Sequence, residues 1–279
     1  MEDHLDTPRY RLGRYHEYPV PAALERVAEA AWHYAAPPAG SVPPERVEGH
    51  RVLPDPAVSL AVAGRCEAGE WAELRVVVVG PVRDARFYRP EPGEVLCAVR
   101  LRPEWSARIL GADPADHVGA LPEWTAAWAG RLRDAVAREA PDDAVSVLRR
   151  LLHTVDERHA AAPGDGPAAL ASSALARLAR PGGTTMALHQ VARDLGVSER
   201  HLRRTVIRTT GASPKLHHRV RRLNAAVLAA DASRHPHWSR LAHAFGFHDQ
   251  AHLAREVRAL TGLTPTFLHA ERQAQRVTA

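Results

Sequence analysis

Three arginines crowd one short stretch of this chain, Arg200, Arg203 and Arg204, and two more, Arg255 and Arg258, recur in a second stretch of the same design. A guanidinium is a planar fork of N–H donors that stays charged at any physiological pH. It does no acid–base or nucleophilic work there. It grips anions and the paired acceptor atoms on base edges. The two stretches read HLRRTVIRTTGASP, His201 to Pro214, and HLAREVRALTGLTP, His252 to Pro265, and they are offset by 51 residues throughout. Leu202 answers Leu253, Arg204 answers Arg255, Val206 answers Val257, Gly211 answers Gly262 and Pro214 answers Pro265.

Helices must position these arginines. In the first copy Leu188, Val191, Ala192 and Leu195 form one apolar stripe of a short helix. Gly196 supplies a left-handed turn, and Ser198 is an N-cap with Glu199 in the first turn after it. Leu202, Val206 and Thr209 then face inward while Arg200, Arg203 and Arg204 face outward, and Gly211 ends the helix. Helix, tight turn and arginine-studded helix is the helix-turn-helix layout of DNA readers. The second copy starts at Trp238, with Leu241, Ala242 and Phe245 inside, Gly246 at the turn, and Leu253, Val257 and Leu260 on the inner face. Ala251, Arg255 and Arg258 face outward, with Gln250 and His252 in the first turn.

Ser213-Pro214 opens a connecting helix through Ala230, striped by Leu216, Val220, Leu223 and Val227. Such a helix spans about 25 Å at 1.5 Å per residue, enough to hold two recognition helices in successive major grooves about 34 Å apart. Thr264-Pro265 repeats the cap-plus-proline device and starts a terminal helix. Ser198, Arg208, Lys215, Arg219, Arg240 and Arg258 are candidates for phosphate contacts, which give affinity without sequence information.

Charge agrees with that reading. The 279 residues carry a formal net charge of +5, but from Thr184 onward 15 basic residues face 6 acidic ones, and the rest is mildly acidic. Only the C-terminal part is built to meet a polyanion. Cys66 and Cys97 form neither a disulfide framework nor a metal-ligand spacing, and the many histidines lack a ligand spacing with cysteine or carboxylate. No metal or cofactor is expected, and a reducing cytoplasm is the simplest setting. No apolar run approaches a membrane span, and MEDHLDTPRY has no signal-peptide core, so no membrane partner is expected.

The stretches RHLRR…TGASP and LAHAFGFHDQAHLAREVRALTGLTP resemble the C-terminal DNA-binding domain of the AraC/XylS transcription regulators, over about Thr184 to Arg272. The resemblance implies two helix-turn-helix units on a linker helix in a bacterial regulator, with double-stranded DNA and RNA polymerase as partners. By motif position it places Arg200, Arg203 and Arg204 against bases in the first unit. In the second unit those places fall to Gln250, Ala251, His252, Ala254 and Arg255. Val206 and Val257 stand where the family usually has an aromatic, a change of packing. Ala251 and Ala254 cannot hydrogen-bond a base, so most direct base reading is expected in the first unit.

The N-terminal part reads as strand-rich. Val58–Val62, Arg75–Val79 and Val95–Leu101 are β-branched runs bounded by Gly80-Pro81 and Pro92-Gly93. A helix is expected over Ala22–Tyr34, from the stripe Leu24, Val27, Ala28 and Ala31, and a loop over Pro37–Pro44. From Pro103 the pattern turns helical, and two amphipathic segments within 121–158 fit either packing on the strands or homodimerisation. Ala161–Pro167 reads as a flexible break, Ala168–Ala179 as a short helix, and Pro181-Gly182-Gly183 as a boundary.

The expected fold is α+β. A small β-barrel-like domain spans 1–110, which the resemblance implies senses a ligand or mediates dimerisation, a helical connector spans 111–183, and an all-α DNA reader spans 184–279. The N-terminal part also resembles an uncharacterised partner domain of such regulators, which names no effector. His50, Arg51 and Asp55 read as a solvated loop, Cys97 as a buried core thiol, and Trp105, Trp124 and Trp128 as helical core or a dimer seam rather than a pocket. The rival reading is a DNA-associated enzyme with an alkyl-accepting or redox cysteine in the N-terminal domain, although no reactive-cysteine motif is present.

Overall fold

The computed structural model describes residues 5, 7–12, 14–38, 41, 49–111, 127–161, 166–178 and 187–277. Strands come first: β1 (Tyr10–Leu12), β2 (Tyr15–Tyr18), β3 (Ala28–Ala35), β4 (His50–Val52), β5 (Val58–Glu67), β6 (Glu70–Val79), β7 (Arg86–Tyr88) and β8 (Glu94–Leu101). Six of them form an antiparallel sheet in the order β1-β2-β3-β8-β5-β6, and β4 pairs with β7 in a separate two-stranded ribbon. The three β-branched runs are the cores of β5, β6 and β8. Ala68 and Gly69, with φ of 52° and 85°, make the two-residue turn that joins β5 to β6.

The helix expected over Ala22–Tyr34 is not there. A single 3-10 turn, Ala22–Leu24, leads into β3, which pairs with β2 on one side and β8 on the other. The alanine-rich segment has helical propensity, but two-sided strand pairing decides its state. Trp32 and Tyr34 then point to one face of the sheet and Ala31 to the other.

Alternation gives the sheet two different faces. Val58, Leu60, Val62, Val76, Val78, Val95, Cys97, Val99 and Leu101 face a core closed by α1 (Pro103–Leu110), α2 (Ala127–Val136) and α3 (Ala144–Ala160). Trp105 and Trp128 lie in or against this core, and the guanidiniums of Arg26 and Arg108 stand 5.0 and 4.9 Å from the Trp105 ring. Trp124, Pro181-Gly182-Gly183 and most of the Ala161–Pro167 break lie outside the described residues. The opposite face carries Trp32, Tyr34, Ser59, Val79, Leu96 and Arg100 and looks toward the ribbon and the C-terminal helices.

The remaining helices are α4 (Gly166–Leu178), α5 (Leu188–Asp194), α6 (Glu199–Thr210), α7 (Pro214–Asp231), α8 (Trp238–Ala244), α9 (Gln250–Thr261) and α10 (Pro265–Val277). Ala171, Ala174, Leu175 and Leu178 of α4 pack with Val191, Ala192, Leu202 and Val206, so α4 completes the core of the first unit. The second unit has its own core, in which Val220, Leu223 and Val227 of α7 meet Ala242, Phe247, Leu253, Val257, Leu260 and Leu268. Within the expected connector α2 and α3 pack on the sheet, while α4 packs mainly on α5 and α6 and places Ala168 in the sheet's core.

Candidate nucleic-acid interface

The two recognition helices are α6 and α9, and the same devices hold both. Gly196 and Gly246 take left-handed φ of 68° and 72° at the two turns. Ser198 Oγ accepts from the His201 N–H at 3.2 Å, and Asp249 Oδ1 accepts from the His252 N–H at 2.6 Å, each capping an N-terminus. Gly211 and Gly262, with φ of 71° and 77°, end the two helices. A further repeated device was not read from the sequence. Thr210 Oγ1 donates to the Val206 carbonyl at 2.8 Å and Thr261 Oγ1 to the Val257 carbonyl at 2.7 Å. Both hydroxyls accept from the N–H two residues on, at Ala212 and Leu263.

The inner faces are covered. Leu202, Val206, Leu253 and Val257 are buried, and α6 lies against both α4 and α1, the helix that continues β8 out of the sheet. The outer faces are open. Arg200, Arg203, Arg204 and Arg208 are exposed on α6, as are Gln250, Ala251, Arg255 and Arg258 on α9, with Lys215 and Arg240 exposed nearby. Arg200 and Arg204 have no ion-pair partner among the described residues. Arg203 meets Glu199 one turn earlier at 2.8 Å, a solvated pair worth a few tenths of a kcal/mol. Such a pair yields readily to a better acceptor.

Other candidates are committed elsewhere. Arg219 is half-buried and bonds Glu256 at 2.8 Å, tying α7 to α9. His252 is half-buried with its ring edge on Phe247, and its Nδ1 accepts from the His248 N–H at 3.3 Å. Arg222, which the sequence did not single out, stacks 4.1 Å from the Phe247 ring and donates to the Gly246 carbonyl at 2.9 Å, bracing the second turn. Helix α7 has 18 residues and so is about 27 Å long at 1.5 Å per residue.

A cavity of 1020 Å³ lies between the second sheet face, the β4/β7 ribbon and helices α7 and α10. Four of the chain's five tyrosines, Tyr10, Tyr15, Tyr34 and Tyr88, line it together with Trp32 and Phe87, and Val227 and Leu228 come from α7. His50, Arg51 and Asp55, expected in a solvated loop, stand in its wall. Several of its charges are paired. Arg100 bonds Glu17 at 2.8 Å and Asp55 at 3.1 Å, and it donates to the Tyr15 hydroxyl at 3.0 Å. Burial pushes Asp55 and Tyr15 above their usual values. Burial also works against the Glu17 charge, but Arg100, Tyr15 and Arg9 outweigh it and hold that carboxyl below the usual range.

Cys97 is fully buried and burial pushes its thiol up to about 12, the opposite of a nucleophilic thiolate. Among the described residues no group of histidine, cysteine and carboxylate side chains is arranged to hold a metal, and no helix is long and apolar enough to cross a membrane.

A family described as a helix-turn-helix domain matches residues 191–270. No curated protein matches the chain. Among solved structures, an AraC-type transcriptional regulator from Chromobacterium violaceum is 23% identical over 39% of this chain and 96% of its own, with a TM-score of 0.34. ToxT from Vibrio cholerae O395 is 7% identical over 87% of this chain and 97% of its own, with a TM-score of 0.41. The ToxT of another Vibrio cholerae strain, bound to an unsaturated fatty acid, is 8% identical over 87% and 92%, with a TM-score of 0.40. The duplicated unit, its caps and its exposed basic faces agree with the family match: residues 191–270 of this chain match a helix-turn-helix domain.

Proposed function

We propose that the chain is a sequence-specific transcription regulator whose two recognition helices enter successive major grooves on one side of the duplex. The observation that carries this reading is the faithful duplication of a capped recognition helix, each copy presenting an exposed basic face, at the two ends of one rigid helix. Arg200, Arg203 and Arg204 read bases in the first unit, and bidentate contact to guanine contributes about 1–3 kcal/mol of discrimination at a position. Gln250 and Arg255 are the base-reading groups of the second unit, with His252 limited to its exposed edge. Ser198, Arg208, Lys215, Arg240 and Arg258 anchor phosphates, while Arg219 serves the α7–α9 junction through Glu256.

The cavity carries the second half of the proposal. Its walls come from both domains, so a small molecule filling it touches the sheet and α7 together. Rings and aliphatic side chains dominate those walls, which favours a ligand with an apolar, ring-bearing body. The protein acts in the cytoplasm with RNA polymerase as its downstream partner. Selection of bound genomic fragments with the purified full-length protein tests the regulator reading. A shared two-part motif upstream of genes is the expected result, and fragments with no common sequence would refute it.

A further inference from the structure

The β4/β7 ribbon stands between the cavity and the reading heads, and it holds the same end of both recognition helices. Three ladder pairs, His50 with Tyr88, Arg51 with Phe87 and Val52 with Arg86, make the ribbon. Asp55 and Val82 extend it by exchanging backbone hydrogen bonds of 2.8 and 2.7 Å. The turn of chain between Val82 and Arg86 reaches into the C-terminal domain. Arg83 Nη2 donates to the Gly211 carbonyl at 3.3 Å, just past the end of α6. The Ala85 N–H donates to the Leu260 carbonyl at 2.9 Å, in the last turn of α9. Arg51 Nη1 reaches the Thr261 carbonyl at 3.4 Å while its Nε and Nη2 bond Glu271 of α10 at 3.0 and 3.2 Å. The Asn224 amide of α7 donates to the Pro54 carbonyl at 2.9 Å.

The chemistry suits a brace. The last carbonyls of a helix have no partner within it and carry the negative end of the dipole, so an N–H or a guanidinium placed there is favourable. The carbonyls held lie at the C-terminal ends of the two repeated helices, Gly211 just past α6 and Leu260 and Thr261 in the last turn of α9. A short, backbone-paired ribbon gripping both ends fixes how far apart the helices sit and how they are turned. Linker helix α7 fixes the length between the units, and the ribbon adds a second connection between the C-terminal ends of α6 and α9.

We propose that the β4/β7 ribbon sets the spacing at which the two recognition helices read DNA, with Arg83 and Arg51 as positioning residues and the Ala85 N–H as the third contact. This rests on the reading of both units as DNA readers. Gly49 to Asp55, Gly80, Val82 and Arg86 to Tyr88 also wall the cavity, so the brace is the element through which a bound ligand is felt by both helices at once.

The test uses the full chain and two measurements. First, the two elements selected by the wild type are rejoined with the spacer lengthened or shortened one base pair at a time. Wild type loses about tenfold or more in affinity at neighbouring spacings, the scale of one mismatched base pair. Arg83→Ala accepts those spacings with base preference inside each element unchanged, and Arg83→Lys recovers part of the discrimination. Second, spin labels on Ile207→Cys and Ala259→Cys, in a Cys66→Ser background, report the α6–α9 distance without DNA. The distribution is expected to broaden in Arg83→Ala. An unchanged distance distribution, or an unchanged spacing profile, overturns the brace. If the wild type selects no DNA while Arg83→Ala still broadens the distance distribution, the DNA reading is refuted and the brace stands.

Discussion

Replacing Arg272 by methionine should be among the most damaging single changes in the C-terminal domain. Arg272 and Asp231 join α10 to the end of α7, with side chains only 8% and 1% exposed. Arg272 Nε donates to both Asp231 carboxylate oxygens at 3.1 Å, and Nη2 donates to Oδ2 at 2.6 Å and to the Tyr10 hydroxyl at 2.5 Å. Tyr10 in turn donates to Asp231 Oδ2 at 3.1 Å, which brings strand β1 of the N-terminal domain into the junction. Without the guanidinium, a buried carboxylate keeps one hydroxyl donor. Breaking such a pair costs about 3–5 kcal/mol, a large part of the roughly 5–15 kcal/mol that a domain possesses. With a urea dependence of about 2 kcal/mol per molar, the unfolding midpoint should fall by roughly 2 M. Tyr10→Phe should cost about 1.5–3 kcal/mol, since its hydroxyl accepts from Arg272 and donates to Asp231. The double variant Asp231→Leu/Arg272→Met should recover most of the loss, because an apolar pair carries no desolvation cost. Urea unfolding of the full chain measures all of these. A loss below about 1 kcal/mol for Arg272→Met, or a double variant as unstable as the two single losses combined, would refute the reasoning.

Arg203→Ala should relax preference at one or two base positions by about 1–3 kcal/mol while leaving affinity for random DNA nearly intact; equal loss on specific and random duplexes, measured by competition binding, would remove Arg203 from base reading. The pH dependence follows from His217, which is 2% exposed, lies 2.8 Å from Thr210 Oγ1 and is lowered by burial to about 4. Its folded value lies below the ordinary value of about 6.5, so the unfolded state binds the extra proton between those limits and stability falls as the pH drops from about 6.5 to 4, by on the order of 3 kcal/mol. Unfolding followed across that window should show the slope reduced in His217→Gln; an undiminished slope would place the acid sensitivity elsewhere, His33, also lowered by burial to about 4, being the first alternative.

The reader was legible because everything that specifies it is local. Caps, turn glycines and a helical stripe lie within a few residues of one another, and their repetition 51 residues later doubles the signal. Strands β5, β6 and β8 were legible from β-branched runs and turn glycines. Strand β3 was not, since alanines spaced as in a helix carry no record of the β2 and β8 edges that claim them. The cavity and the brace were invisible for a related reason. Arg83 meets Gly211 across 128 residues and Arg51 meets Glu271 across 220, and no local spacing encodes such partners. Arg51 and Asp55 therefore looked like ordinary solvated charges. The same limit hid the commitment of Arg219 to Glu256, because an arginine on an amphipathic helix looks alike whether it faces phosphate or a buried-side carboxylate. Cys97 was read correctly from alternation with Val95 and Val99 alone.

The central claim is that both helix-turn-helix units read one face of the duplex together. Hydroxyl-radical footprinting of the full-length protein on a selected fragment tests it most directly. Two protected patches on the same face, about 10–10.5 base pairs apart centre to centre, are predicted. Arg203→Ala should fade one patch first and Arg255→Ala the other. A single protected patch, or two patches that fade together in either variant, would contradict the account.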